Sequence, residues 1–281
     1  MSVPSTALLG QIVTGDCVAV MNTIPDNCID LIVTSPPYFN ARKYSRWETY
    51  DAYLAWCGAW IAECLRVLAP GRMLCVNASP VIVARSCRGN RSQRFNIPAD
   101  LHGVVQGLGA WFAEDLTWEK PEGAAINRNQ RFSLDRHPMQ WRANGTTERI
   151  MVWQKPTKKL NDYIIRSKDK SHRITGDYDR GEVWHMNPER VKGHPAAFPI
   201  ALPAKLIRYY TWPGEIVLDP FAGSGTTCLA ACQDGRQYIG IDANEEFCRV
   251  ARRRVSSPAH PHGRAPARTV QGVVGHSGVS E

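Results

Sequence analysis

The residues best suited to chemistry in this sequence form the segment Thr34-Ser35-Pro36-Pro37-Tyr38, which directly follows the apolar run Ile29–Val33. The run predicts a buried strand, and the prolines must end it because neither has an N–H to donate to a sheet. They also fix two φ angles, so the carbonyls of Ser35 and Pro36 point in set directions beside the flat ring of Tyr38. This tip offers acceptors to a planar amino group and a ring to stack on its heterocycle. The alternative is a proline-terminated strand with a core tyrosine.

A second polar strand end lies far downstream. The run Glu215–Leu218 predicts a strand that ends at Asp219 and is followed by a glycine turn and a helix from Thr226 to Cys232. Gly223 and Gly225 allow the backbone to approach a ligand closely, and the start of a helix supplies free N–H groups. The sequence therefore predicts a ligand site at this turn.

A third acidic strand end follows the glycine turn. The run Tyr238–Ile241 predicts a strand that ends at Asp242, roughly 20 residues after the glycines. An acid at that spacing is placed to accept hydrogen bonds from a ribose diol, as in other open α/β nucleotide sites.

Together these segments resemble the catalytic and cofactor motifs of the amino-group (N4-cytosine and N6-adenine) DNA methyltransferases, which use S-adenosylmethionine. The catalytic motif precedes the cofactor motif, as in the permuted β group of that family, and the resemblance covers roughly residues 11–255. It implies catalytic roles for Ser35, Pro36, Pro37 and Tyr38. It also implies a cofactor site formed by Asp16, Phe198, Asp219, Pro220, Phe221, Gly223, Ser224, Gly225, Thr226 and Asp242. For Asp16, a simple helix N-cap is an equal alternative.

Strands that alternate with helices predict an α/β fold with a doubly wound, mostly parallel sheet, and the resemblance implies the Rossmann-like class I methyltransferase fold. The other predicted strands are Gln11–Val13, Met73–Asn77, Trp111–Trp118 and Glu148–Trp153. The other predicted helices run from Asp16 toward Ile24, from Tyr50 to Leu68 with Pro70-Gly71 as the stop signal, and over Ala99–Leu108, Ala204–Tyr210 and Asn244–Val255. Trp56 and Trp60 are expected to be scaffold residues.

The charge distribution favours a polyanionic partner, and the resemblance names it as duplex DNA. The chain has 281 residues, a formal net charge of +8 and a pI near 9.1. From Arg85 to Arg94, arginines recur at every third position with no acid between them. This pattern favours phosphate contacts, with a solvated charged face as the alternative. The predicted DNA-binding residues are Arg42, Lys43, Arg85, Arg88, Arg91, Arg94, Lys158 and Lys159.

Residues 1–255 are expected to form the catalytic domain. Residues 155–185 are expected to form a target-recognition insertion assisted by 120–145, and 256–281 a disordered tail. No apolar run reaches the roughly 18 to 20 residues of a membrane span, and no basic-then-apolar leader begins the sequence. Nine cysteines without a Cys-x-x-Cys pair favour core thiols in a reducing compartment over disulfides or a metal site. A cytoplasmic protein without a metal is expected.

The implied reaction is direct transfer of the cofactor's methyl group to the exocyclic N4 of a flipped-out cytosine, because the family more often pairs serine at the first motif position with cytosine. The alternatives are N6-adenine methylation, an inactive methyltransferase fold that binds DNA, a nicotinamide dehydrogenase, and RNA or protein methylation. Carbon-5 cytosine methylation is disfavoured because the sequence has no Pro-Cys pair to supply the nucleophile. A homodimer and a companion restriction endonuclease are left open.

Overall fold

The computed structural model describes residues 8–41, 45–83, 92–124, 130–139, 141–158, 173–174, 176–193 and 197–257. Its strands are β1 Gln11–Thr14, β2 Ile29–Thr34, β3 Leu68–Ala78, β4 Val81–Val83, β5 Gln93–Phe95, β6 Trp111–Glu119, β7 Thr147–Gln154, β8 Val183–His185, β9 Ile216–Asp219 and β10 Gln237–Asp242. Its helices are α1 Cys17–Met21, α2 Tyr50–Val67, α3 Ile97–Gly107, α4 Gln130–Asp135, α5 Ala201–Tyr210, α6 Thr226–Gln233 and α7 Glu245–Val255. None of the helices in these ranges is long and apolar enough to cross a membrane.

The main sheet has the order β1-β10-β9-β2-β3-β7-β6-β8, and β4 and β5 form a separate hairpin. Its neighbouring strands are parallel except that β7 runs antiparallel to both β3 and β6. The predicted α/β fold with a mostly parallel sheet is confirmed. After β2 the chain continues to β3 on one side, and after β9 it continues to β10 on the other. The crevice at the carboxyl ends of β2 and β9 is therefore the switch point where such sheets bind ligands.

Helices cover both faces of the sheet, so its central strands are buried on both sides. In β2, Ile29 and Ile32 belong to the core cluster formed with α1, α2 and α3. Leu31 and Val33 of the same strand belong to the cluster formed with α5 and α6. A strand buried on both faces has a continuous apolar sequence rather than an alternating one, which explains the run that predicted β2.

The predicted boundaries of α2 and β3 need a correction. The helix ends at Val67 and β3 begins at once, so Pro70 and Gly71 lie inside the strand and not at the end of the helix. The β2–β3 register shifts between Ile29 and Leu31, and Gly71 has a φ of 78°, which a glycine adopts readily at such an irregularity. A proline is tolerated there because an irregular ladder does not require its N–H.

Three short strands were not predicted, and α1 is shorter than predicted. Strands β4, β5 and β8 have three residues each, too few to show a period in the sequence. Helix α1 ends at Met21 rather than near Ile24, with Asp16 as its N-cap. Trp60 is fully buried, as expected for a scaffold residue.

A buried arginine ties three strands together at the amino edge of the sheet. Arg72, from β3, pairs with Asp30 of β2 at 3.0 Å and with Glu215, the residue before β9. The second oxygen of Asp30 accepts a hydrogen bond from the N–H of Ile216 at 3.0 Å. The arginine side chain is 3% exposed, so a single buried cation lies between two carboxylates inside the protein.

Replacing this arginine should unfold the protein at lower denaturant. Arg72→Met leaves two carboxylates without their buried cation, and we expect a loss of about 3–5 kcal/mol in the free energy of unfolding. Urea unfolding followed by circular dichroism measures it. Arg249→Met, which removes an exposed arginine paired with Glu246, should cost less than about 1 kcal/mol. Equal losses of unfolding free energy in the two variants would show that the buried ion pairs stabilise the protein no more than an exposed pair does.

Candidate active site

The proline-rich tip and the glycine turn lie side by side. Strands β2 and β9 are parallel neighbours, with Leu31 opposite Val217 and Ile32 opposite Leu218. One residue before the tip, the Thr34 hydroxyl donates to Oδ1 of Asp219 at 2.7 Å. The two strand ends that the sequence singled out therefore meet at the carboxyl edge of the sheet.

The hydroxyl of Tyr38 lies in a network of polar groups behind the tip. Its oxygen is 3.1 Å from Oγ of Ser35, 3.3 Å from the carbonyl oxygen of Asn77 and 3.5 Å from Oε2 of Glu148. Burial, followed by the charge of Glu148, raises the pKa of Tyr38 well above its ordinary value. The phenol therefore keeps its proton at neutral pH.

The direction of these hydrogen bonds affects the serine. Tyr38 has one proton to donate, and the carbonyl of Asn77 and the carboxylate of Glu148 can only accept it. The Tyr38 oxygen is then left to accept the proton of the Ser35 hydroxyl. This arrangement turns the lone pairs of Ser35 toward any donor in front of the tip, such as an amino group.

Glu148 is itself held by two donors from neighbouring strands. Nδ2 of Asn77 donates to Oε2 at 2.6 Å, and the Lys120 ammonium pairs with Oε1. Because β7 is antiparallel to β3, its first residues lie at the carboxyl end of β3, beside Asn77. In the sequence Glu148 was predicted only as the first residue of a strand, and Asn77 and Lys120 were not identified as site residues.

Glu148→Gln should impair catalysis without loosening the cofactor site. Lys120 and Asn77 bond different oxygens of Glu148, and an amide has only one acceptor oxygen, so one of these donors is left unpaired. Tyr38 then keeps the Asn77 carbonyl as an acceptor but loses the carboxylate that fixes its hydroxyl from the other side. We expect kcat to fall about 10- to 100-fold, the effect of losing one buried hydrogen bond. The measurement is the single-turnover rate of the methyl transfer to DNA that the sequence resemblance leads us to expect, together with the calorimetric affinity for the cofactor.

The matched control is Glu119→Gln, which changes an acid at the same edge that is 42% exposed and lies near His185. It should keep kcat within about twofold, because exposed pairs contribute little. A Glu148→Gln enzyme with unaltered kcat would remove the positioning role.

The glycine turn is organised by Asp242, at the end of β10. Its two oxygens accept the N–H of Gly223 at 2.8 Å and the N–H of Asn244 at 2.8 Å. Burial raises its pKa above the ordinary value, against the effect of these two hydrogen bonds. Asp242 therefore shapes the turn, and each of its oxygens keeps a second lone pair for a hydroxyl of a ligand.

The rest of the turn packs against α7. Gly225 has a φ of 75°, and a Cβ there would lie 2.7 Å from the Cβ of Ala251, so its lack of a side chain serves helix packing. Arg254 donates to the carbonyl of Ser224 at 2.6 Å and to the hydroxyls of Ser224 and Thr226 at 3.0 Å each. The Ser224 and Thr226 hydroxyls therefore contact α7, and their backbone groups are what the turn can offer a ligand.

The other predicted cofactor residues lie in three environments. Asp16 is exposed and accepts the N–H of Ala19 at 3.0 Å, which makes it the N-cap of α1. The ring of Phe221 packs 5.1 Å from that of Trp60 and 5.5 Å from that of Trp56, centroid to centroid. Phe198 is half-buried against the core cluster on the α5 face. Pro220 is buried directly after Asp219.

The predicted DNA-binding residues fall partly outside the described part of the chain. Arg94 lies exposed on β5, and Lys158 is exposed after β7. Lys155, in the same basic run as Lys158, turns inward and donates to Asn27 and to backbone carbonyls. The predicted residues outside the described ranges are Arg42, Lys43, Arg85, Arg88, Arg91 and Lys159, together with 258–281 of the tail.

Asp219 has no cationic partner in the described part of the chain. Its hydrogen bonds come from the hydroxyl of Thr34 and from the N–H of Phe221. Burial raises the pKa of Asp219 to about 6, although these donors oppose the shift. The site therefore holds a buried carboxylate that a cation would stabilise.

Asp219→Asn should stabilise the cofactor-free protein at pH 8. The carboxyl pKa is higher in the folded state, so ionisation costs stability as pH rises from about 4 to about 6, up to about 3 kcal/mol in total. Asparagine still accepts from Thr34 and does not ionise. The gain in unfolding free energy, measured with urea, should become smaller as the pH falls toward 5. Asp177→Asn, at an exposed acid, should show no pH-dependent gain, and a destabilised Asp219→Asn protein at pH 8 would contradict the assignment.

A glycine turn and acidic strand ends at the switch point of an open α/β sheet are typical of enzymes that bind a nucleotide cofactor. The family model for N6/N4 enzymes, described as DNA methylase, matches residues 29–253. The chain belongs to this family of amino-group DNA methylases.

Relatives and solved structures agree with this assignment. The Type II methyltransferase M.HinfI of Haemophilus influenzae is 27% identical over 274 residues, covering 88% of this chain and 68% of its own length. The Type II methyltransferase M.BglII of Bacillus subtilis is 28% identical over 257 residues, covering 86% of this chain and 68% of its own length.

Among solved structures, TTHA0409 of Thermus thermophilus, described as a DNA modification methylase and complexed with S-adenosyl-L-methionine, superposes with a TM-score of 0.70. It is 26% identical, and the match covers 87% of this chain and 92% of that one. The cytosine-N4-specific PvuII DNA methyltransferase has a TM-score of 0.66 at 21% identity, with 88% and 86% coverage, which shows the shared fold.

Proposed function

We propose that this protein transfers a methyl group from S-adenosylmethionine to the exocyclic N4 of a cytosine in duplex DNA. The observation that carries the proposal is the parallel pairing of β2 with β9, which brings the Ser35–Tyr38 tip next to Asp219 and its glycine turn. A tip that accepts hydrogen bonds from an amino group and a turn suited to a nucleotide cofactor then face the same crevice.

The residues at the glycine turn fit S-adenosylmethionine. This cofactor carries an ammonium and a sulfonium group, and it supplies an electrophilic methyl group. The buried carboxylate of Asp219, with hydroxyl and amide donors but no described cation beside it, is suited to a positively charged ligand. Asp242 would accept from the ribose hydroxyls, and the exposed Asp16 carboxylate would lie near the adenine end. TTHA0409, solved with this cofactor bound, supports the choice.

The catalytic tip would prepare the target amino group by hydrogen bonding. An exocyclic amino nitrogen is a weak nucleophile because its lone pair is delocalised into the ring. The oxygen of Ser35 and the carbonyl of Pro36 would accept its two hydrogens and turn the lone pair out of the ring plane. Holding the nitrogen in line with the methyl group can supply as much as about 7–11 kcal/mol of barrier reduction.

The target base must leave the duplex to reach this tip. Extrusion costs a few kcal/mol, and stacking on an aromatic ring returns about 1–3 kcal/mol per base. Tyr38 is half-buried with its hydroxyl anchored from behind, so its ring is held in one orientation for stacking. Its neighbours Pro36 and Pro37 would keep the tip rigid during extrusion.

Cytosine is favoured over adenine by Ser35, since the family more often pairs serine at this position with N4 methylation. N6-adenine is the second candidate, because the same acceptors suit any exocyclic amino group. The DNA contacts would come from Arg94 and from the arginines and lysines predicted in the sequence, with 155–185 as the target-recognition insertion. Within that insertion, Asp179 is tied to α5 through Lys205 at 2.7 Å and Tyr209 at 2.7 Å, which would anchor the insertion to the catalytic domain.

The product base tests the proposal directly. DNA treated with the purified protein and labelled S-adenosylmethionine should yield N4-methylcytosine on digestion to nucleosides and mass spectrometry. N6-methyladenine would establish the second candidate, and the absence of labelled nucleosides would favour an inactive DNA-binding protein. Replacing the duplex DNA with RNA in the same assay tests whether the substrate is DNA or RNA.

Ser35→Ala should lower kcat about 10- to 100-fold, because it removes one acceptor of the amino group. The calorimetric affinity for S-adenosylmethionine should stay the same. Ser256→Ala, at an exposed serine after α7, is the matched control and should leave both quantities unchanged. Full turnover in the Ser35→Ala enzyme would refute the proposed role of this hydroxyl.

A further inference from the structure

A second candidate site lies beside the β4–β5 hairpin. A surface cavity of about 440 Å³ is lined by Ser92, Arg94, Trp141, Arg142 and Ala143. The indole of Trp141 is 59% exposed, although a large aromatic ring gains from being covered. The lining contains two guanidinium groups and a hydroxyl but no acidic side chain, so the cavity is suited to a ligand that is both flat and anionic.

The cavity lies on the same edge of the sheet as the catalytic tip. The hairpin follows the carboxyl end of β3, and residues 141–143 precede β7, whose first residues are paired with that end of β3. Phe95, the neighbour of Arg94, packs 4.9 Å from Phe39, which directly follows Tyr38. A DNA strand at the tip would therefore pass close to this cavity.

The loop that carries the indole is held by its own arginine. Nη1 of Arg142 donates to the carbonyls of Met139 at 2.8 Å and Trp141 at 2.7 Å, which fixes the guanidinium next to the backbone of Trp141. Arg94 projects from β5 into the cavity, and no ion pair to it is formed in the described part of the chain. One cation thus orders the loop, and the other is available to an anion.

We propose that this cavity binds one nucleotide of the DNA outside the catalytic tip, with its base stacked on Trp141 and its phosphate held by Arg94, while Arg142 keeps the loop of Trp141 in place. Base stacking on an aromatic ring is tolerant of sequence, and guanidinium groups bind phosphate oxygens in pairs. The proposal rests on the proposed function for the identity of DNA as the partner. It adds a subsite that would hold the strand while the target base is extruded.

The test separates stacking from charge with two labelled single strands of equal length. One is oligodeoxythymidine, and the other is an abasic strand with the same phosphates and no bases. Fluorescence anisotropy with the full-length protein measures the affinity for each strand. Trp141→Ala should weaken binding of oligodeoxythymidine about 5- to 100-fold, the effect of one stacked base, and leave the abasic strand unchanged.

The matched control is Trp111→Ala. Trp111 is 50% exposed but lies at the start of β6, on the opposite edge of the sheet, so its loss should affect neither strand. Arg94→Gln should weaken the binding of both strands. It should also reduce the slope of log affinity against log salt concentration by about 0.7, as expected for one lost phosphate contact. Arg253→Gln, at an exposed arginine on α7, should leave that slope unchanged.

Several outcomes would overturn the proposal. Base stacking in the cavity would be excluded if the Trp141→Ala protein bound both strands as the Trp111→Ala protein does. It would also be excluded if Trp141→Ala weakened the binding of both strands equally. A different outcome is that a polyglutamate peptide displaces the DNA, with Trp141→Ala weakening the binding of the peptide as much as that of oligodeoxythymidine. That result would identify an acidic protein as the partner. Failure of the proposed function is distinguishable, because it would appear as absent methyl transfer by the unmodified protein, whatever the Trp141 variant binds.

Discussion

The structure depends on the short parallel contact between β2 and β9. Leu31 with Val217 and Ile32 with Leu218 are in register, and the contact is closed at both ends by side chains. At the carboxyl edge the Thr34 hydroxyl bonds Asp219, and at the amino edge Asp30 accepts the N–H of Ile216. Because the two strands are bonded to each other at both ends, the distance between the two tips is set by the sheet and not by the loops.

The strands that carry the tips were predictable because their signals are local. A β-branched run stopped by two prolines, and an apolar run followed by an acid and glycines, defined β2 and β9 within one residue of their observed limits. The support behind Tyr38 was not predictable in this way. Asn77 and Glu148 lie 71 positions apart, and they meet because β7 inserts antiparallel between β3 and β6. A pairing of that kind depends on the whole sheet and leaves no periodic signal in either segment.

Three of the acids at the carboxyl edge are stabilised in different ways, and this difference directs charge within the crevice. Glu148 is paired with a lysine, and Asp242 accepts two backbone N–H groups. Asp219 is the most buried of the three and is bonded to hydroxyl and amide groups, so burial dominates its pKa. A cationic ligand is therefore drawn to the end of β9, next to the tip. The neutralised Glu148 instead serves to orient the tyrosine.

One helix, α2, supports both tips through a series of aromatic side chains that pack against one another. Phe39, next to Tyr38, packs on Tyr53 at 5.8 Å, Tyr53 packs on Trp56 at 5.9 Å, and Trp56 packs on Phe221 of the glycine turn at 5.5 Å. Since these rings form part of a close-packed core, neither tip can move far without displacing α2. A rigid crevice of this kind cannot reach into a base pair. In the proposed reaction the base would therefore have to come out of the duplex to meet the tip, because the crevice would not move to it.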